Sequence, residues 1–263
     1  MLLCVVDSRV RGVTQLRDVV YIVCTGSSAI IRFDAVTHQR LNDISVKDLS
    51  NPRDIAACEH TASVYVCDYG PACVWRVSSD GEEVKLWLQW SPSDTFKPWT
   101  LSVTSSRLLV TSLDTKQLRQ FDADGDELSR VDLPDDMKPS HAMESPAGTF
   151  IISDESKQME QGQVSVVNTG GQVLRQFSGS RLVPLGYTPH VAVDSQGNIF
   201  VADHRTGHIL LLDSQLALRR VIIDEHQLNY KRPRRLCYSE HSGQLLIGFR
   251  GKGDVAVFDV LRR

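Results

Sequence analysis

Prolines recur along the chain at Pro52, Pro98, Pro139, Pro189 and Pro233, at spacings of 46, 41, 50 and 44 residues. Each is followed by the same series of short apolar runs. The first run reads DIAAC, TLSVT, HAMES, HVAVD or RLCYS, and the second SVYVCD, RLLVTS, TFIISD, NIFVAD or QLLIGF. A third run (CVWRVS, QLRQFD, QVSVVN, HILLLD, DVAVFD) and a more polar fourth (EVKLWL, ELSRVDL, QVLRQF, LALRRVII) complete the unit. Ser79-Asp80-Gly81, Ala123-Asp124-Gly125 and Thr169-Gly170-Gly171 separate third from fourth runs and are hairpin signals. Residues 10–46 repeat the template without the proline, through VVYIVC, AIIRFD and RLNDISV. Four short strands cannot bury their apolar faces alone, so successive units must stack, and radial closure removes the exposed edges. The repeat therefore predicts an all-β fold, a six-bladed β-propeller with four-stranded antiparallel blades, as one domain over 1–263. A two-sheet sandwich accounts for strands but not for the six-fold period. Helical periodicity is nearly absent, with a turn at 91–94 as the exception.

The last unit supplies only three strands, while residues 2–6, LLCVV, belong to no unit. They are expected to pair as the outer strand beside 255–260 and so close the ring.

A formal charge of −3 implies no partner by itself, so any electrostatic reading rests on where charges sit. The six cysteines form no CxxC, and most lie inside strand-like runs, as free thiols of a reducing compartment would; the expected location is the cytoplasm. MLLCVV is too short and lacks the basic flank of a signal peptide, and no apolar run reaches the roughly 20 residues of a membrane span.

The stretch PHVAVDSQGNIFVAD followed by GHILLLD, within 188–213, closely resembles the NHL repeat, whose pattern is P-x-x-I-A-V-D-x-x-G-N-I-Y-V-A-D followed by an R-I-x-V-F-D strand. The unit at Pro52 is similar to a degenerate NHL or YVTN-type repeat, with Asp68 at the VAD aspartate; Asp154 fits that position, and Gly248 departs from it. Over the whole chain the likeness is to the C-terminal propellers of tripartite-motif ubiquitin ligases. That resemblance implies a substrate-recognition end of a regulatory or ubiquitination protein. The RING and B-box parts are not in this chain, which has no Cys/His zinc spacing.

Loops that enter the inner strands and join second to third strands ring the channel of a propeller. The inner-strand starts align Asp54, Thr100, His141, His190 and Arg235, preceded by Arg53, Trp99, Ser140 and Arg234. Arg53, Trp99, Lys116, Lys157, His190, Arg205, Arg234, Arg235, Arg250 and Lys252 are the expected partner-binding residues, with His204 beside Arg205 in the same role. Several acids of that rim, among Asp54, Asp68, Asp114, Asp154, Glu155 and Asp203, are expected to brace their own turns by Asx-type bonds. The function expected first is a non-catalytic module binding protein partners through exposed, varied loops. The second reading is single-stranded RNA on the basic rim, with KRPRR at 231–235 contacting phosphates; that use of a basic face is implied by the resemblance. The third is a metal-dependent lactonase- or lyase-like enzyme, with His141 and His190 as candidate ligands near Asp54. No cofactor motif is present: the glycines sit in strand turns, not before a helix.

Overall fold

The structure, a computed structural model, describes residues 2–6, 8–104, 106–155, 162–180, 183–187, 190–249, 251 and 253–260. Among these residues there are twenty-four strands and no helix. Blade one is β2 (Val10–Leu16), β3 (Val19–Cys24), β4 (Ala29–Asp34) and the short β5 (Ile44–Ser45), which follow β1 (Leu2–Val6). Blade two is β6 (Pro52–Cys58), β7 (Ser63–Asp68), β8 (Cys73–Ser78) and β9 (Val84–Gln89); blade three is β10 (Thr100–Thr104), β11 (Arg107–Ser112), β12 (Gln117–Phe121) and β13 (Glu127–Asp132). Blade four is β14 (Pro139–Glu144), β15 (Phe150–Glu155), β16 (Gly162–Val167) and β17 (Val173–Phe177); blade five is β18 (His190–Val193), β19 (Ile199–Asp203), β20 (His208–Leu212) and β21 (Leu218–Ile223). Blade six is β22 (Pro233–Ser239), β23 (Gln244–Phe249) and β24 (Gly253–Asp259), and β1 adds antiparallel to β24 as its outer strand. The pairing Leu2↔Ala256, Cys4↔Val255, Val5↔Asp254 and Val6↔Gly253 closes the ring as the sequence predicts.

The strand gradient follows from composition. The second strand SVYVCD is buried at every position, whereas the outer VKLWLQ has none fully buried. Apolar side chains collect in six wedges between neighbouring blades rather than in one central core. Val10, Val13 and Ile22 of blade one meet Leu246, Val255 and Val257 of blade six. Tyr65 and Val74 of blade two meet Leu108, Val110 and Phe121 of blade three, where Trp87 packs edge-on against Tyr65 at 4.7 Å. Each fully buried aliphatic chain in a wedge contributes about 1.5–3 kcal/mol, so the ring is held by its interfaces. The predicted hairpin glycines Gly81, Gly125 and Gly171 have φ of 86°, 97° and 82°, and a Cβ on Gly171 would lie 2.2 Å from the Asp132 carbonyl oxygen. At 91–94 there is a single turn closed by Asp94 N–H on the Ser91 carbonyl at 2.9 Å.

The aspartates ending the second strands act across blade boundaries. Asp68 accepts from Ser50 N (2.8 Å) and Asn51 N (2.7 Å), and Asp154 from Lys138 N (2.6 Å), so both tie down the segment arriving from the previous blade. Asp203 binds the arriving Gly186 N (3.1 Å) and also its own turn at Arg205 N (3.0 Å). Bracing of own turns is thus only part of their work. Strand pairing sets Pro233 opposite Phe249, as Pro52 stands opposite Asp68, so Phe249 rather than Gly248 takes the aspartate position in blade six.

Candidate functional site

The inner strands bring one residue per blade to the same level of the channel. Gly12 pairs with Val23, Asp54 with Cys67, Thr100 with Thr111, His141 with Ser153, His190 with Ala202 and Arg235 with Gly248. In β2, β6, β14 and β22 the register shifts immediately before this level, so that two residues oppose one on the neighbouring strand. Such a bulge turns consecutive side chains toward one place. Here it presents Arg11, Arg53 and Arg234, all half-buried, at the mouth, just above Gly12, Asp54 and Arg235, while Ser140, before His141, is buried.

The lower ring is a polar plug. Asp54, His141, His190 and Arg235 are all at most 5% exposed. Asp54 sends Oδ1 toward Arg235 Nε at 3.6 Å and Oδ2 toward His190 Nε2 at 3.6 Å, while Oδ2 accepts Leu101 N–H at 3.1 Å. Arg235 donates to three backbone carbonyls, through Nε to Arg11, through one terminal nitrogen to Arg53 (3.2 Å) and through the other to Arg234 (3.2 Å). The imidazoles of His141 and His190 stack with centroids 3.6 Å apart. Gly12, the sixth member, is required by space: a Cβ there would lie 2.6 Å from Ile55 N and 2.9 Å from Asp54 Cα. Burial holds both histidines well below the usual imidazole range, and for His190 the Arg235 charge adds to it. Burial pushes the Asp54 carboxyl up, against the pull of Arg235.

One nitrogen from each imidazole and one Asp54 oxygen lie within 4.8 Å of one another, the one such three-residue group among the described residues. The hydrogen bonds decide what the group can do. His190 Nδ1 accepts Leu236 N–H at 3.3 Å, so its neutral ring carries the proton on Nε2, facing Asp54. His141 Nε2 lies 3.3 Å from the Leu101 carbonyl oxygen, which can only accept, so its proton is on Nε2 and its lone pair on Nδ1. In this arrangement the cluster has a single free imidazole lone pair. Holding a cation with both rings requires breaking the His190–Leu236 bond.

The mouth above the plug is cationic. Burial, together with the guanidinium groups of Arg53, Arg234, Arg235 and Arg9, lowers the Arg11 pKa to about 10. Arg11 Nε donates to Thr25 Oγ1 at 2.7 Å. Arg53 lies over Trp99 at 4.6 Å and Tyr69 at 5.1 Å, and Lys97 lies over Tyr69 at 5.2 Å. Tyr69 in turn donates to Asp114 Oδ2 at 2.8 Å.

The sequence-predicted residues divide accordingly. Arg53, Trp99 and Arg234 stand at the mouth, half-buried. His190 and Arg235 are buried in the plug and present no surface to a macromolecule. Lys116 turns away to the segment entering blade four, where it binds Asp135, and Arg205 is exposed on blade five. His204 is 9% exposed, with Nδ1 3.1 Å from the Pro233 carbonyl oxygen and its ring edge-on to Tyr187, so it packs between blades rather than serving recognition. Lys157, Arg250 and Lys252 lie outside the described residues. Sequence reasoning missed Arg11 and Gly12, although VRGV aligns with PRDI of blade two and PRRL of blade six.

No protein-family model matches the sequence, and no relative is found among curated proteins. Solved structures do match. Hydrazine synthase of Kuenenia stuttgartiensis superposes with a TM-score of 0.65 at 12% identity, covering 97% of this chain and 96% of that chain. A streptogramin B lyase gives 0.66 at 12% identity, covering 96% and 94%. A catalytically inactive virginiamycin B lyase from Staphylococcus aureus with quinupristin gives 0.65 at 12% identity, covering 97% and 80%. The expectation of a non-catalytic module is corrected by these matches, since the architecture is one that lyases share. At such identities the likeness is one of fold: the chain is a six-bladed β-propeller.

Proposed function

We infer that the arginine-lined mouth binds an acidic segment of a partner protein. The observation that carries this reading is the crowding of Arg11 by Arg53, Arg234, Arg235 and Arg9, with no carboxylate paired to Arg11 or Arg53 among the described residues. Like charges held together are relieved by an anionic ligand, and the half-buried guanidinium groups of Arg11, Arg53 and Arg234 suit bidentate carboxylate or phosphate. The resemblance to NHL propellers of tripartite-motif ligases supports a protein target, in which case the domain selects a regulatory or ubiquitination substrate. At the mouth the aromatic rings favour protein over RNA: Trp99 and Tyr69 are already covered by Arg53 and Lys97, so neither offers an open face to a stacked base. The described cysteines Cys24, Cys58, Cys67, Cys73 and Cys237 are free thiols, which supports the expected cytoplasmic location.

Fluorescence anisotropy with a labelled oligoglutamate peptide and a labelled oligouridine tests this. The peptide is expected to bind, to weaken with salt, and to lose at least tenfold in affinity with Arg11→Glu and Arg53→Glu together. Tighter binding of oligouridine, or a peptide affinity unchanged in the double variant, refutes it.

A further inference from the structure

The three arginines of the mouth come from successive blades where the ring closes: Arg234 from blade six, Arg11 from blade one and Arg53 from blade two. Arg235 draws their main chains together. Its one planar guanidinium donates to the carbonyl oxygens of all three, to Arg11 through Nε, to Arg53 at 3.2 Å and to Arg234 at 3.2 Å. Gly12, the blade-one member of the level below, has no side chain to obstruct that span. Arg235 itself is 3% exposed, whereas Arg11, Arg53 and Arg234 keep part of their surface open to solvent. Two of these forks are held in advance, Arg53 by stacking over Trp99 and Tyr69 and Arg11 by its bond to Thr25.

The number and shape of these groups narrow the anion they suit. Arg235 has a carboxyl group of its own, with Asp54 Oδ1 3.6 Å from its Nε, whereas Arg11 and Arg53 have none among the described residues. A carboxylate brings one negative charge and two oxygens, enough for one bidentate guanidinium. Three guanidinium groups gathered at one mouth exceed it in both respects. A phosphate monoester carries a charge of about −1.5 to −2 at pH 7 and presents three acceptor oxygens, so every fork finds an acceptor and most of the crowded charge is neutralised. A phosphodiester has a single charge and two free oxygens, no better than a carboxylate. Trp99 and Tyr69 are taken up by Arg53 and Lys97, so the ring of a phosphotyrosine would find no open aromatic face there, which favours an aliphatic carrier of the phosphate.

We propose that Arg11, Arg53 and Arg234, gathered by Arg235, form a binding site for a phosphorylated serine or threonine of the partner segment. This inference rests on the reading of the mouth as a site for an acidic segment and specifies the anion that the segment carries. Phosphorylation of the partner then acts as the switch for its capture, because it replaces a neutral hydroxyl with the one side-chain group that matches three guanidinium forks in charge and in acceptor count.

Two labelled peptides of one glutamate-rich sequence are the probes, with either glutamate or phosphoserine as the central residue, and binding is followed by fluorescence anisotropy at pH 7. The phosphoserine peptide is expected to bind at least tenfold more tightly than the glutamate peptide. Arg11→Lys together with Arg53→Lys keeps both charges and removes both forks, and should cut that preference below threefold. Should the double variant fail to fold, the contrast between the peptides in the unaltered protein still decides. A preference below tenfold in the unaltered protein, or one of threefold or more in the lysine variant, overturns the proposal and leaves the acidic-segment reading in place. Failure of both peptides to bind overturns the two together. Oligouridine binding more tightly than the phosphoserine peptide also overturns the proposal, a phosphodiester chain then being the ligand.

Discussion

Acidification from pH 7 to pH 5 should remove a defined part of this protein's stability, because His141 and His190 are buried without charge. Their folded pKa values lie well below the unfolded value of about 6.5, through burial first and, for His190, the charge of Arg235. Unfolding therefore takes up protons. The stabilisation is complete above about pH 6.5 and is lost as pH falls toward the folded values. Once the unfolded imidazoles are protonated, each contributes a slope of about 1.4 kcal/mol per pH unit. Integrated from pH 7 to pH 5, that amounts to about 2 kcal/mol per ring and about 4 kcal/mol for the pair. Other groups titrate in the same window, so the reference is a His141→Gln, His190→Gln double variant, which retains them and removes the two rings. Urea unfolding followed by tryptophan fluorescence at pH 7, 6 and 5 measures both proteins. The unaltered protein should lose about 4 kcal/mol more than the variant. Equal pH slopes, or a folded-state imidazole titration near pH 6.5 by NMR, would refute the plug as drawn.

Three further outcomes are expected. Gly12→Ala forces a methyl against backbone atoms 2.6 and 2.9 Å away and should cost about 1–3 kcal/mol in urea unfolding; an unchanged midpoint contradicts the close approach of β2 and β6. Deleting residues 1–8 removes a strand paired at four positions and, at about 1 kcal/mol for each backbone bond, should lower Tm by roughly 8–16 °C, whereas a frayed terminus would leave Tm where it is. Asp68→Ala leaves Ser50 N and Asn51 N without their acceptor and should cost about 2–4 kcal/mol, with a loss under 0.5 kcal/mol refuting the inter-blade brace.

The inner-strand alignment of Asp54, Thr100, His141, His190 and Arg235 was legible because side-chain direction repeats with the strand period, so the start of each apolar run after the proline marks one level, two residues on from Pro52, Pro98, Pro139 and Pro233 and one on from Pro189. What those residues do there was not legible. Arg235 lies within a KRPRR run that reads as solvated charge, yet it is 3% exposed and spans the carbonyls of Arg11, Arg53 and Arg234. His204 reads as a loop residue and is buried because the blade-six carbonyl of Pro233 comes to it. Gly12 carries no side chain to attract notice, and its requirement exists only where blade two closes on blade one.

Local pattern alone determined the number of blades, the hairpin glycines and the completion of blade six by Leu2–Val6, since each depends on strand period, turn chemistry or an unpaired strand. Tertiary closure alone decided that Arg11 joins Arg53 and Arg234 at one end of the channel and that its middle is sealed by Asp54, two stacked neutral histidines and Arg235. The reason is geometric. Repeat period sets which residue of a blade reaches the axis, but charge, protonation and tautomer at the axis depend on residues some 50 to 220 positions apart that meet only when the ring closes.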